Sequence, residues 1–136
     1  MAVNEDMKTL LLHEATEARK NAYTPYSHFQ VGAALLTKDG KIYRGCNIEN
    51  GAYSPTNCAE RTAFFKAVSE GERDFEAIAV VGGPEDGPLR DVCAPCGVCR
   101  QVMREFCADD FEIILGSEEK PLSCTLSEIL PLSFSL

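Results

Sequence analysis

Apolar residues at Met7, Leu10, Leu11, Ala15, Ala18 and Ala22 recur at the spacing of one helical face. They predict an amphipathic first helix, ended by Pro25. Phe29 to Thr37, FQVGAALLT, reads as a buried strand, Asp39-Gly40 as a hairpin turn, and Lys41 to Ile48 as the antiparallel partner. A loop over Asn50 to Asn57 leads into a helix from Cys58 to Glu70, with Gly71 placed to cap it. Phe75 to Val81 is rich in β-branched residues and predicts a strand. Gly82 to Pro95 holds three prolines and three glycines and reads as a long loop, a kind of segment that is often functional in a compact domain. Val98, Val102 and Phe106 predict a helix from Cys96 to Cys107. Strands follow at Phe111 to Leu115 and Leu122 to Thr125, then a helical turn at Ser127 to Leu130.

A hairpin followed by β-α units predicts an α/β fold, a mixed five-stranded sheet flanked by helices on both faces. The pattern contains no repeat, no low-complexity tract and no linker. Its 136 residues are therefore expected to form one domain, 1–136, large enough to bury a core without staples. The formal net charge of -8 opposes nucleic-acid binding, which needs a basic face, and costs an uncharged ligand nothing. No stretch reaches the length of apolar sequence that a membrane span needs, and Met1 to Lys8 lacks the apolar core of a secretory signal. The expected location is the cytoplasm. There, seven cysteines point to metal binding or catalysis before disulfides.

Two segments concentrate the chemistry. Asn57-Cys58-Ala59-Glu60-Arg61 and Pro95-Cys96-Gly97-Val98-Cys99 each open a predicted helix after a loop. Cys96 and Cys99 are one helical turn apart and form a two-sulfur clip, to which Cys58 adds a third thiolate. Three protein ligands leave one of zinc's four positions open, the catalytic arrangement. Helix N-termini favour the thiolate form. Glu60 is placed to take a proton from a zinc-activated water and pass it on. Three thiolates around Zn²⁺ carry a net charge of -1, which Arg61 is placed to relieve by hydrogen-bonding the sulfurs.

These residues resemble the zinc-dependent cytidine deaminase family, in its short branch with three cysteine ligands. That chemistry and its signature are a standard description of zinc deaminases. The resemblance implies hydrolytic deamination of cytidine and deoxycytidine to uridine and deoxyuridine with release of ammonia, in pyrimidine salvage. It implies one Zn²⁺ per subunit on Cys58, Cys96 and Cys99, and Glu60 as the proton shuttle. It extends over Tyr26 to Ala34, where Phe29 would pack against the nucleoside, and over Gly45 to Asn50, where Asn47 and Glu49 would bind the ribose. The backbone N–H of Ala59 would hold the base carbonyl. Members of the branch are homotetramers, and Tyr53 and Phe134 would reach the pockets of neighbouring subunits.

Plainer readings stand beside these. Asn57 to Glu60 fits a capping box, with Asn57 at the N-cap. Arg61 fits a surface charge, Phe29 a core residue, and Asn47 with Glu49 one face of a solvated hairpin edge. Cys93-x-x-Cys96 is a competing clip of equal spacing, although Pro95 favours Cys96 with Cys99. Cys46, Cys107 and Cys124 fit small buried apolar groups. His13 and His28 have no partner pattern, and Asp109-Asp110 reads as a solvated turn. Three rivals remain open: a deaminase of an aminonucleoside antibiotic, a non-enzymatic zinc module with a fourth protein ligand, and a thiol redox protein.

Overall fold

The computed structural model describes residues 3–136. Met1 and Ala2, the first residues of the segment on which the expectation about a secretory signal rests, lie outside the described residues. Helix α1 (Glu5–Ala18) starts at Asn4, whose side chain accepts the Met7 N–H at 2.8 Å, and carries Glu5 and Asp6 in its first turn, where acidic groups suit the helix dipole. It ends four residues before the predicted Ala22. A 3-10 turn over Arg19–Asn21 tightens the chain before it becomes extended at Ala22. Strands β1 (Phe29–Thr37) and β2 (Ile42–Cys46) form the expected hairpin. Helix α2 (Ala59–Ser69) ends where Gly71 takes φ +99°. The Gly71 N–H bonds to the Val68 carbonyl and the Glu72 N–H to that of Ala67, the double closure that such a glycine permits.

Strand β3 (Phe75–Pro84) is followed by helix α3 (Gly97–Phe106), strands β4 (Glu112–Gly116) and β5 (Pro121–Thr125), and the short helix α4 (Leu126–Ile129). The sheet order is β2-β1-β3-β4-β5. Only β3 and β4 run parallel; the other pairs are antiparallel. The mixed five-stranded sheet is as expected, but β3 runs three residues further than its sequence suggested. Gly82, Gly83 and Pro84 pair with Val31, Gln30 and Phe29 of β1, so the glycines continue a strand instead of opening a loop.

The pleat of the central strands separates two cores. Ala33 and Leu35, Ile78 and Val80, and Ile113 and Leu115 face α2, α3 and α4, where Phe64 and Met103 are fully buried. Ala34, Leu36, Ala77, Ala79, Val81 and Ile114 face α1 through Leu11, Leu12 and Ala15. Helices thus cover both faces. Two glycines let them sit close to the sheet: a Cβ on Gly32 would lie 2.0 Å from the Ala15 carbonyl oxygen, and one on Gly45 would lie 2.3 Å from that of Ala59. The second contact seats the start of α2 against β2. The first turns of α2 and α3, the start of β1 and the far end of β3 meet at one end of the sheet.

Among the described residues, no helix is long and apolar enough to cross a membrane. Cys107 and Cys124 pack against the larger core, and burial pushes the Cys107 thiol up to about 12. Both histidines have partners that the sequence did not suggest: His13 Nδ1 lies 3.2 Å from Glu118, and His28 Nδ1 lies 3.0 Å from Glu85. Asp109 is exposed in a turn, as expected, but pairs with Arg104 at 2.8 Å.

Candidate active site

Cys58 is the N-cap of α2 and Cys96 the N-cap of α3, both with extended backbone and neither spending its side chain on a cap. Cys99 is one turn further along α3. The Sγ atoms of Cys58 and Cys96 are 3.8 Å apart, and those of Cys96 and Cys99 are 3.5 Å apart. Tetrahedral zinc with Zn–S bonds of about 2.3 Å places its sulfurs about 3.8 Å apart, so this set fits the ion as it stands. The three sulfurs lie within 4.8 Å of one another, a group that excludes Cys93. The competing Cys93–Cys96 clip is therefore not the one the fold assembles.

The charges around the sulfurs are uneven. A hydrogen bond from the Cys99 thiol, helped by Arg61, lowers the Cys58 thiol to about 5 against the opposing effect of burial. The same bond raises Cys99, as does its burial. Arg61 Nη2 donates to Cys58 Sγ at 3.2 Å. Burial works against the arginine's charge, but its bonds to Cys58 and Cys99 outweigh that and hold the proton more firmly. Its Nε is buried with no hydrogen-bond partner, while its Nη2 is turned to the Cys58 sulfur. The plain surface-charge reading of Arg61 does not describe this environment.

Glu60 is the second residue of α2 and only 4% exposed. Burial raises its carboxyl to about 7, and the nearby Cys58 charge adds to the effect. The capping-box reading of Asn57 and Glu60 fails, because the N-cap is Cys58. Asn57 instead donates through Nδ2 to Thr62 Oγ1 at 3.2 Å. With no capping bond to make, the Glu60 carboxyl is left to the cleft.

That cleft has a volume of about 180 Å³. Cys58, Ala59 and Glu60 form the wall from α2; Cys93, Ala94 and Cys96 form the wall before α3; Val31, Asn47 and Glu49 close the remaining side. A second, more open cleft of about 390 Å³ shares Glu49 and Thr56 with it and adds Tyr26, Ser27, Asn50 and Tyr53. Sequence reasoning gives Thr56 and Ala94 no role, and Ser27 and Val31 none beyond their place in the segment Tyr26 to Ala34; the position of Thr56 just before Asn57-Cys58 is a further signal.

Asn47 and Glu49 do not share a strand face, because β2 stops at Cys46. Asn47 imitates a strand instead: its Oδ1 accepts the Val31 N–H at 2.9 Å, and its Nδ2 donates to the Phe29 carbonyl at 3.0 Å. Glu49 accepts the Tyr26 and Ser27 N–H groups at 3.0 and 3.2 Å, and its bond from the Ser27 hydroxyl leads in holding its carboxyl below the usual range. Both line the cleft while bracing the backbone that enters β1. Phe29 sits beside two lining residues, Val31 and Cys93, around Gly82, with Arg90 Cζ 4.9 Å from its ring centroid. Tyr53 is 77% exposed with φ +64°, and Phe134 is 66% exposed and does not line the cleft.

Residues 5–115 match a sequence family described as the cytidine and deoxycytidylate deaminase zinc-binding region. A cytidine deaminase of Sporosarcina psychrophila is 55% identical over 126 residues, covering 92% of this chain and 89% of that one. A cytidine deaminase of Halalkalibacterium halodurans is 54% identical over 129 residues, covering 94% of both. The crystal structure of cytidine deaminase from Burkholderia pseudomallei superposes with a TM-score of 0.84 at 45% identity, covering 92% of this chain and 97% of that one. The sulfur geometry, the fold and these similarities agree, and the chain belongs to the cytidine and deoxycytidylate deaminase family of zinc-binding enzymes.

Proposed function

We propose that this enzyme catalyses hydrolytic deamination of cytidine and deoxycytidine, giving uridine and deoxyuridine and releasing ammonia in pyrimidine salvage. The observation that carries the reading is the opening of the three-sulfur cluster beside a single buried carboxyl, Glu60. Cys58, Cys96 and Cys99 would hold the zinc ion, which would act as a Lewis acid and make water a competent nucleophile near neutral pH.

The rest is the work of this chain. Glu60, with a carboxyl near 7, can take a proton from water and give it back within one turnover. It passes that proton to N3 of the base as the water's oxygen adds to C4, then takes the remaining proton from the new C4 hydroxyl and passes it to the amino group, so that the C4 carbonyl forms as the C–N bond breaks and ammonia leaves. The Ala59 N–H, in the unpaired first turn of α2, is placed for the base carbonyl. Asn47 and Glu49 are placed for the ribose hydroxyls, and Arg61 offsets the sulfur charge. Phe29, beside Val31 and Cys93, packs against the nucleoside.

The working assembly is a homotetramer in the cytoplasm. The exposure of Tyr53 and Phe134 supports subunits that complete one another's clefts, and the seven unpaired cysteines suit a reducing compartment. Light scattering tests the assembly: a monomer at working concentration would refute shared pockets.

The decisive experiment follows the ultraviolet absorbance of cytidine with zinc-loaded protein and with the Glu60→Ala variant. Conversion to uridine by the wild type alone supports the reading. No conversion by zinc-replete wild type would overturn it.

A further inference from the structure

Cys93 is the one cysteine on the cleft wall that stands outside the sulfur cluster. Its sulfur is held against Gly82 of β3: a Cβ added at Gly82 would lie 2.6 Å from Cys93 Sγ, 3.2 Å from Val31 Cγ2 and 3.1 Å from Phe29 Cε2. Contacts under 3 Å are not tolerated, so the missing side chain of Gly82 is the space that lets Cys93 retract from the cleft. The segment carrying Cys93 is fixed there. The Arg90 N–H donates to the Gly82 carbonyl at 2.8 Å, and the Arg90 head group lies over the Phe29 ring. Residues around Pro88 press on Gly83 in the same way, with the Pro88 carbonyl oxygen 2.4 Å from where a Cβ would sit. Cys93 is thus a wall residue at a set depth.

The part of the substrate that meets this wall is set by the deaminase reading, and the role of Cys93 rests on that reading. Ala59 and Glu60, both on α2, take the base carbonyl and N3. The opposite edge of the ring, C5 and C6, then points away from α2, toward the wall before α3 that Cys93 and Ala94 form. We propose that Cys93, seated in the space left by Gly82, is a specificity-determining residue that limits the size of the substituent a cytidine can carry at C5.

A difference of one methyl-sized group in an apolar pocket changes discrimination by about tenfold or more. The readout is therefore the ratio of kcat/KM for 5-methylcytidine to kcat/KM for cytidine, measured on zinc-loaded protein with zinc content checked. Cys93→Ala is expected to raise this ratio about tenfold. Gly82→Ala, which drives Cys93 and Val31 into the cleft, is expected to lower it, and the double variant Gly82→Ala with Cys93→Ala to recover it. Ratios within twofold of wild type in the Cys93→Ala and Gly82→Ala variants would overturn the proposal. If one single variant fails to fold, the other decides alone. Failure of the deaminase reading looks different: wild type would then convert neither substrate.

Discussion

Arg61 Nη2 and Cys58 Sγ are 3.2 Å apart, so the residue three places after a sulfur ligand returns along the same helical turn to bond it. The contact links an arginine that cannot lose its proton to a sulfur whose thiol is held below its ordinary value. Arg61→Gln keeps a donor and removes the charge. It is expected to lower kcat or zinc affinity by about 10- to 100-fold, the usual cost of losing such a partner. Steady-state kinetics with metal analysis on the same samples separates the two, and unchanged values for both would refute the role.

Glu60→Gln preserves the size of the buried side chain and removes its ability to shuttle protons. Turnover is expected to fall by at least about 100-fold with zinc content intact. Retention of near-full activity would remove Glu60 from the mechanism.

The sulfur set makes a sharp distinction among cysteines. Cys58→Ala, Cys96→Ala and Cys99→Ala should each lose zinc on dialysis, whereas Cys93→Ala should keep it. Protons compete with zinc for thiolates, so zinc affinity should fall as pH falls. Metal analysis after equilibration across a pH series checks both, and a Cys93→Ala variant that comes out metal-free would contradict the assigned cluster.

Gly45 touches the site through the fold. With 2.3 Å between a Cβ at that position and the Ala59 carbonyl oxygen, Gly45→Ala must push the start of α2 away from β2. A destabilisation of about 3 kcal/mol is expected, at the upper end of overpacking costs. Chemical denaturation measures it, and a loss below about 0.5 kcal/mol would show that α2 is free to shift.

A pH-dependent contribution to stability comes from Glu14, whose carboxyl takes two bonds of 3.0 Å from Arg44 across α1 and β2. These bonds, foremost the side-chain hydrogen bond, hold its pKa below the usual value. The depressed folded-state pKa means that the contribution is present above the ordinary carboxylate range and is lost as pH falls through the folded value. Arg44 is 44% exposed, so solvent screening limits the gain to about 0.5 kcal/mol. Glu14→Gln should cost this much at pH 7 and progressively less as pH falls below the ordinary carboxylate range, with the difference shrinking in high salt. An equal cost across the pH series would assign the effect to packing.

The three sulfurs and Glu60 were legible in the chain because their chemistry depends on residue type and short spacing. The strand at 29–37 and the helix after Cys58 were legible because their apolar periods are unbroken. Gly82 to Pro84 misled because local propensity opposes a strand, and the pairing that overrides it comes from β1, more than 50 residues away. Asn47 misled in a similar way: its amide looks like a strand face residue, yet it stands in for backbone.

The two N-caps, Cys58 and Cys96, point the starts of two helices at one sulfur cluster. Each helix start carries roughly half a positive charge, so both oppose the single negative charge left by three thiolates around a divalent ion. This share of the neutralisation is written in peptide groups, beside the share that the Arg61 side chain supplies. Substitutions that leave the two helix starts in place keep it, and the centre is thereby insulated from part of the sequence drift that reshapes its surroundings.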